Sequence, residues 1–309
     1  MTKQPIIRKY IDPMVDFGFK KIFKESGNKE LIIRPLNVIF DLNIEDITIS
    51  DSEQLGRTKE ERKASFDLFC KTADRRSFVI EVQIAQQKYF LERALFYTSF
   101  PIAKSAPKDK DQRKKWDYNY PPVFFFGLMN FNLRHDNPAL ADPNQYIHLF
   151  TLRDEKTAEL MTDRLRFAFL EVKRFSKKKE ECHTFEDRFL FIMKNLPTFA
   201  EKPELWDDDP YFEQMLAEAE YANMTDKQQI AYMESLKQRW DYQNTIDYAR
   251  EEGHIAGREG GLRKGIEQGR EEGRTEERID NARSLLKLGV PIETIATGLG
   301  LTEDQIRSL

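Results

Sequence analysis

Two short runs of alternating side chains constrain the fold of this chain more than any other feature. The first run is S-F-D-L-F-C-K, which starts at Ser65, and the second is S-F-V-I-E-V-Q-I, which ends at Ile84. A side-chain period of two is typical of β-strands, and two such runs joined by a short polar break predict an antiparallel hairpin. If the hairpin is centred on Asp74, Asp67 lies directly opposite Glu81.

The two faces of this hairpin are predicted to differ in polarity. One face is apolar and carries Phe66, Leu68, Cys70, Phe78, Ile80, Val82 and Ile84. Ser65, Asp67, Glu81 and Gln83 fall on the other face. Opposed carboxylates destabilise a strand pair unless a cation lies between them, and Mg²⁺ is held by one or two carboxylates together with phosphate and water. The alternative is an outer face that is simply solvated and acidic.

Five short motifs in a fixed order include and surround the hairpin. They are V-D-F-G-F-K-K-I-F-K (15–24), N-K-E-L-I-I-R-P-L-N (28–37), R-K-A-S-F-D-L-F-C (62–70), I-E-V-Q (80–83) and Y-F-L-E-R-A-L-F-Y (89–97). Together they resemble the PD-(D/E)XK-type transposase nucleases of the Rpn, or recombination-promoting nuclease, group of bacteria. The resemblance is close over residues 12–130 and looser to about residue 245.

The resemblance implies an α/β fold with a restriction-endonuclease-like central mixed sheet flanked by helices, here followed by a helical C-terminal extension. It also implies a DNA endonuclease that uses Mg²⁺ or Mn²⁺ and acts in recombination, mobile elements or defence. Asp67 and Glu81 would be the metal-binding acids, and Asp16 would complete the metal shell. Gln83 occupies the place where the superfamily usually has lysine, so it could orient water but could not act as a base.

The helix that follows the hairpin carries further candidate residues. Tyr89, Arg93 and Tyr97 match the helix motif of the family, and their spacing puts them on one face of a helix over 87–100. This face either approaches the metal site, where it would contact a phosphate or hold the strand, or it is a half-buried aromatic face with an arginine stem packed against it. Pro101 should end or kink this helix.

Lysines near the N-terminus are candidates for the positive charge that Gln83 lacks. Lys20 and Lys21 fall on the outer face of a helix predicted for 14–26.

The rest of the chain is predicted to alternate between strands, helices and polar loops. Other strands are predicted at 44–49, 123–131, 146–152 and 166–175. Other helices are predicted at 28–42, 181–195, 210–224 and from Thr225 towards Arg250, and polar loops at 51–63 and 107–120.

Charge and composition limit the possible functions. The chain has 309 residues and a net charge of −4, whereas a protein that binds nucleic acid by bulk charge would be basic. DNA contacts must therefore come from local clusters beside the metal site. The acidic balance and Gln83 favour the alternative function, a catalytically inactive nuclease-fold protein that binds DNA or oligomerises.

Two distant cysteines and no apolar run near 18 residues predict a cytoplasmic protein without membrane spans.

The C-terminal part has a different character. We predict a nuclease-like domain over 1–245, a charged glycine-repeat helix or linker over 246–280, and a small helical module over 281–309. Glycine recurs every four residues from Gly253 to Gly273, which suits either a helix that self-associates or disorder. The last module resembles a helix-turn-helix, but its final helix carries one arginine and two acids, which favours docking or dimerisation over reading DNA. A homodimer or homo-oligomer is the predicted assembly.

Overall fold

The computed structural model describes residues 9–50, 66–106, 117–133, 142, 144–206 and 208–309. The predicted loop at 51–63, most of the loop at 107–120, and Ser65 lie outside the described residues. The chain separates into two compact units, Met1–Arg239 and Trp240–Leu309. The three-part division at about residues 245 and 280 stays a prediction.

The first unit is built on a six-stranded mixed sheet, as the predicted fold class requires. Its strands are β1 (Ile47–Ser50), β2 (Leu68–Thr72), β3 (Ser77–Gln83), β4 (Val123–Met129), β5 (Ile147–Arg153) and β6 (Leu160–Glu171), in the order β1-β2-β3-β4-β6-β5. The β3–β4 and β4–β6 pairs are parallel and the other pairs antiparallel. The strand predicted at 166–175 is β6. It starts earlier than predicted, because it extends to Leu160 to pair with Arg153 of β5, and it ends at Glu171.

The predicted hairpin and its register are confirmed. Leu68 pairs with Ile80 and Lys71 with Ser77 across the antiparallel β2–β3 ladder. Asp67 immediately precedes β2, so the same register extended by one residue sets it opposite Glu81. At the turn, Arg75 adopts a left-handed φ of 72° and the Thr72 N–H donates to the Arg76 carbonyl at 3.1 Å.

Helices cover both faces of the sheet and continue the chain beyond it. They are α1 (Asp16–Lys20), which continues as a π-helical turn (Lys21–Glu25), α2 (Glu30–Phe40), α3 (Phe90–Ser105), α4 (Phe185–Asn195), α5 (Pro210–Ala219), α6 (Asp226–Lys287), α7 (Ile292–Leu299) and α8 (Glu303–Arg307). Pro101 does not end α3, which was one of the two outcomes predicted for it, and Pro35 does not bound α2. Both are buried inside α2 and α3, where packing outweighs the lost backbone hydrogen bond.

Apolar side chains fill a core on each side of the sheet. Leu68, Cys70, Phe78 and Ile80 belong to the larger core, together with residues of α2, α4 and α5. The opposite side, predicted to be polar, holds a second core of Phe66, Phe69, Val79, Phe90, Ala94, Phe125, Met129, Phe131, Phe167 and Phe169. The placement of Phe66 with Leu68 is therefore wrong, because Phe66 precedes the strand and its alternation. The alternative of a solvated acidic face is also wrong, because α3 covers that face.

The second unit consists of helices. Residues 250–280, for which disorder was an alternative, lie within the unbroken α6. Ala282, Ile295 and Ile306 form a small core between α6, α7 and α8. Within the described part of the chain, no helix is both long enough and apolar enough to cross a bilayer. Burial raises the pKa of the Cys70 thiol to about 12, as expected for the buried free cysteine predicted there.

Candidate active site

The hairpin positions Asp67 and Glu81 side by side. The Val82 N–H donates to Asp67 Oδ2 at 2.5 Å, which fixes the Asp67 carboxyl against the β3 backbone. Glu81 lies near the carboxyl end of β3 on the face covered by α3, and only 7% of it is exposed. Of these two acids with opposed positions in the hairpin, Glu81 is thus buried and Asp67 is half-buried.

Burial strongly changes the proton affinity of this pair. It raises the pKa of Glu81 to about 8, the charge of Asp67 raises it further, and Arg93 opposes the shift. The pKa of Asp67 rises to about 7, again mainly through burial, while the Val82 N–H holds it down and Asp16 adds to the increase. Near neutral pH, the pair therefore holds more protons than two exposed carboxyls would, and a bound cation would favour release of these protons.

Arg93 of α3 binds two groups at the end of β3. Its Nη2 lies 3.0 Å from Glu81 Oε1 and also donates to Gln83 Oε1. Its Nη1 donates to Gln87 Oε1. Gln83 in turn donates from Nε2 to the Ala85 carbonyl at 3.0 Å. Of the two alternatives for this helix face, the structure shows α3 approaching the acidic pair, and the guanidinium links both polar residues of the I-E-V-Q motif.

The N-terminal helix brings a third acid and a lysine near Asp67. Asp16 hydrogen-bonds with the Asp67 side chain, and Lys20 exerts an opposing electrostatic effect that lowers the pKa of Asp67. Lys20 Nζ also lies 2.7 Å from Asp16 Oδ1. Lys21, the other predicted phosphate contact, instead points away to Glu218 at 3.6 Å.

The two tyrosines of the helix motif lie in different environments. Tyr97 packs edge-on against Phe66 at a ring distance of 5.0 Å, and the Arg93 guanidinium lies 5.6 Å from the Tyr97 ring centre. Tyr89, at the N-terminal end of α3, is 61% exposed, and Lys88 Nζ lies 5.1 Å from its ring centre. Tyr97 thus supports the arginine, whereas Tyr89 faces solvent.

Gln87 is a site residue that sequence reasoning missed. It precedes α3, and its only sequence signal is a polar Q-Q-K stretch that is ordinary for a loop. Its contact with Arg93 depends on how α3 packs against β3, which no local periodicity reports.

The pair Asp67 and Glu81 fits a hard divalent cation. Glu81 Oε2 is buried without a hydrogen-bond partner, and an unsatisfied buried carboxylate oxygen is costly unless a cation binds it. Over the described ranges, no three or more His, Cys, Asp or Glu side chains are arranged to hold a metal ion, so Asp16 does not complete a closed cage. Mg²⁺ suits such an open site, because it keeps several waters and uses one or two carboxylates.

Comparison with known proteins agrees with this arrangement. Searches of curated proteins and of solved structures returned no match. The sequence model described as PD-(D/E)XK nuclease family transposase matches residues 13–249, which include both acids of the hairpin and all of α3. This match spans most of the chain, and the protein belongs to the PD-(D/E)XK nuclease family transposases.

Proposed function

We propose that this protein is a Mg²⁺-dependent endonuclease that hydrolyses phosphodiester bonds in DNA, and that it acts in recombination, mobile elements or defence in the bacterial cytoplasm. The observation that carries the proposal is the buried, unpartnered Glu81 Oε2 beside Asp67. Most buried carboxylate oxygens in proteins have a hydrogen-bond partner, so an unpartnered oxygen beside a second acid suits a bound cation.

The residues of the chain have distinct tasks in this proposal. Asp67 and Glu81 would hold the ion, with Asp16 close to Asp67. Bound Mg²⁺, or Mn²⁺, would activate water and neutralise negative charge at the scissile phosphate. The Val82 N–H fixes the orientation of Asp67, and burial keeps bulk water from Glu81. Both carboxyls must release their protons to bind a cation, which should favour activity at neutral to alkaline pH.

Nicking of a supercoiled plasmid tests the proposal. We expect cleavage with Mg²⁺ or Mn²⁺ and none with a chelator. Asp67→Ala and Glu81→Ala should each reduce the cleavage rate by about 10³-fold or more, because each removes a ligand of the charge-neutralising ion. Asp163→Ala is the matched control, since Asp163 is an exposed acid on β6 of the same sheet. It should cut like the wild type.

The alternative is a catalytically inactive nuclease-fold protein that binds DNA. Gln83 favours it, because a glutamine brings neither charge nor a base to the site. If the purified protein retards DNA in a gel but nicks no plasmid with any divalent metal, the enzyme proposal is wrong and the fold serves in binding.

We also propose that two copies associate through α6. Over residues 250–280, α6 is highly charged and rich in glycine, and such a helix is unstable alone. An added Cβ at any glycine from Gly253 to Gly273 would contact nothing within 4 Å. Sedimentation should therefore give a mass above the 36.5 kDa of one chain. Replacing Gly257 and Gly261 together with leucine should return the protein to a monomer. A wild-type monomer at all concentrations would contradict this assembly.

A further inference from the structure

Gln83 is already engaged at both ends of its amide. Oε1 accepts from Arg93, and Nε2 donates to the Ala85 carbonyl. The amide is therefore tied to the guanidinium on one side and to the chain after β3 on the other. A residue held in this way is better suited to orienting Arg93 than to orienting a water molecule.

Arg93 is held in one orientation by its surroundings. Glu81, Gln83 and Gln87 accept from its two terminal nitrogens, and the ring centres of Phe90 and Tyr97 lie 5.3 Å and 5.6 Å from the guanidinium carbon. A guanidinium has five N–H donors. The three acceptors engage three of them, which leaves one N–H of Nη1 and the N–H of Nε for an incoming oxygen.

The position of Arg93 suits an anionic ligand. Its side chain is 22% exposed, so the guanidinium reaches solvent at the edge of the acidic pair. Lys20, the other cation near the pair, is already matched with Asp16 at 2.7 Å. A phosphate that approaches Glu81 would be repelled by the two carboxylates. Arg93 is a cation that contacts Glu81 directly, at 3.0 Å, so it could offset this repulsion. Each of the two remaining N–H groups of Arg93 can donate to one phosphate oxygen, and the guanidinium keeps its charge at any pH the protein experiences.

We infer that Arg93 is the fixed cation that contacts the scissile phosphate, and that Gln83 is a positioning residue that acts through Arg93. The inference rests on the proposed nuclease function and gives a role to the glutamine in the I-E-V-Q motif. It also replaces the role in which Gln83 would orient water.

The test is a double-mutant cycle with two readouts. The variants are Arg93→Gln, Arg93→Lys, Gln83→Met and the combination of Arg93→Gln with Gln83→Met. The first readout is plasmid nicking. The second is binding of a short DNA duplex without divalent metal, measured as the slope of log affinity against log salt. Lys104→Gln, about 16 Å further along α3, controls for loss of any positive charge on that helix.

We expect Arg93→Gln to lower nicking by about 10²–10³-fold and to make the salt slope shallower by about one, because one phosphate contact is lost. Arg93→Lys should keep the slope but regain only part of the nicking rate. Gln83→Met should lower nicking in the wild-type background and have no further effect when Arg93 is already glutamine. Lys104→Gln should leave the nicking rate unchanged. Circular dichroism and melting of each variant confirm that it folds.

Two results would overturn the inference. One is an unchanged salt slope in folded Arg93→Gln, which would remove Arg93 from the phosphate. The other is an equal loss from Gln83→Met with and without Arg93, which would show that Gln83 acts independently. Failure of the nuclease proposal is distinguishable, because wild type would then cut nothing while the slope comparison still reports on Arg93.

Discussion

Replacing Glu81 with glutamine should abolish DNA cleavage and yet make the metal-free protein more resistant to heat at pH 8. The pKa of Glu81 is raised from 4.5 to about 8, primarily by burial and secondarily by the charge of Asp67. A carboxyl with a higher pKa in the folded state contributes stability that is fully present below pH 4.5 and is lost as the pH rises through about 8. Glutamine has no proton to lose, so the variant should retain this stability.

The expected difference grows with pH. At pH 5 wild type and Glu81→Gln should differ in stability by about 1 kcal/mol or less, and at pH 8 the variant should be more stable by on the order of 3–4 kcal/mol, which corresponds to roughly ten degrees in a protein of this size. Added Mg²⁺ should raise the melting temperature of the wild type at pH 8 but not that of the variant, because a ligand stabilises only a state that binds it.

The matched control is Asp163→Asn, which changes an exposed acid on the same sheet and should shift neither the pH dependence nor the response to Mg²⁺. Parallel melting curves for wild type and Glu81→Gln from pH 5 to pH 8 would contradict a raised pKa at Glu81. Mg²⁺-dependent stabilisation of both proteins would place the ion elsewhere.

Gly18→Ala should be the most destabilising small substitution in the first unit. An added Cβ would overlap the Asp12 carbonyl oxygen and lie 3.0 Å from its carbon. Asp12 cannot move aside, because its N–H donates to the Tyr232 hydroxyl at 2.8 Å, its Oδ1 accepts from the Met14 N–H at 2.8 Å and its Oδ2 binds Arg239. Denaturant unfolding should show a loss of about 3 kcal/mol or more.

The same chemical change at Gly260 should have the opposite sign. Gly260 lies in α6, outside the four-residue glycine repeat, and an added Cβ there would contact nothing within 4 Å. Alanine should therefore stabilise the helix by up to about 1 kcal/mol.

A stable Gly18→Ala protein would contradict the first of these two predictions and would mean that α1 can shift away from Asp12. Its nicking rate would then show whether Asp16 and Lys20 need their present positions.

The local signals in the sequence were sufficient for the hairpin, because period-two alternation and a short turn determine its register. They were insufficient for the surroundings of the hairpin. Phe69 and Val79 lie on the face of Glu81, and their burial depends on α3 crossing that face. Likewise, α3 does not end at Pro101, one of the two outcomes predicted there, because buried packing outweighs a local preference. The acids were predicted from spacing and resemblance, whereas the contacts of Arg93 with Gln83 and Gln87 required the packed helix.

The register of the hairpin also bears on how the molecule folds. Leu68 and Ile80 are close in sequence, so their pairing closes a short loop, whereas the parallel pairing of Val123 with Leu165 closes a much longer one. Short loops cost less chain entropy and close sooner. Asp67 and Glu81 should therefore meet while still hydrated, and the later docking of α3 would remove their water. Folding of the metal-free chain should then be faster in mild acid, where the carboxyls enter the interior already neutral.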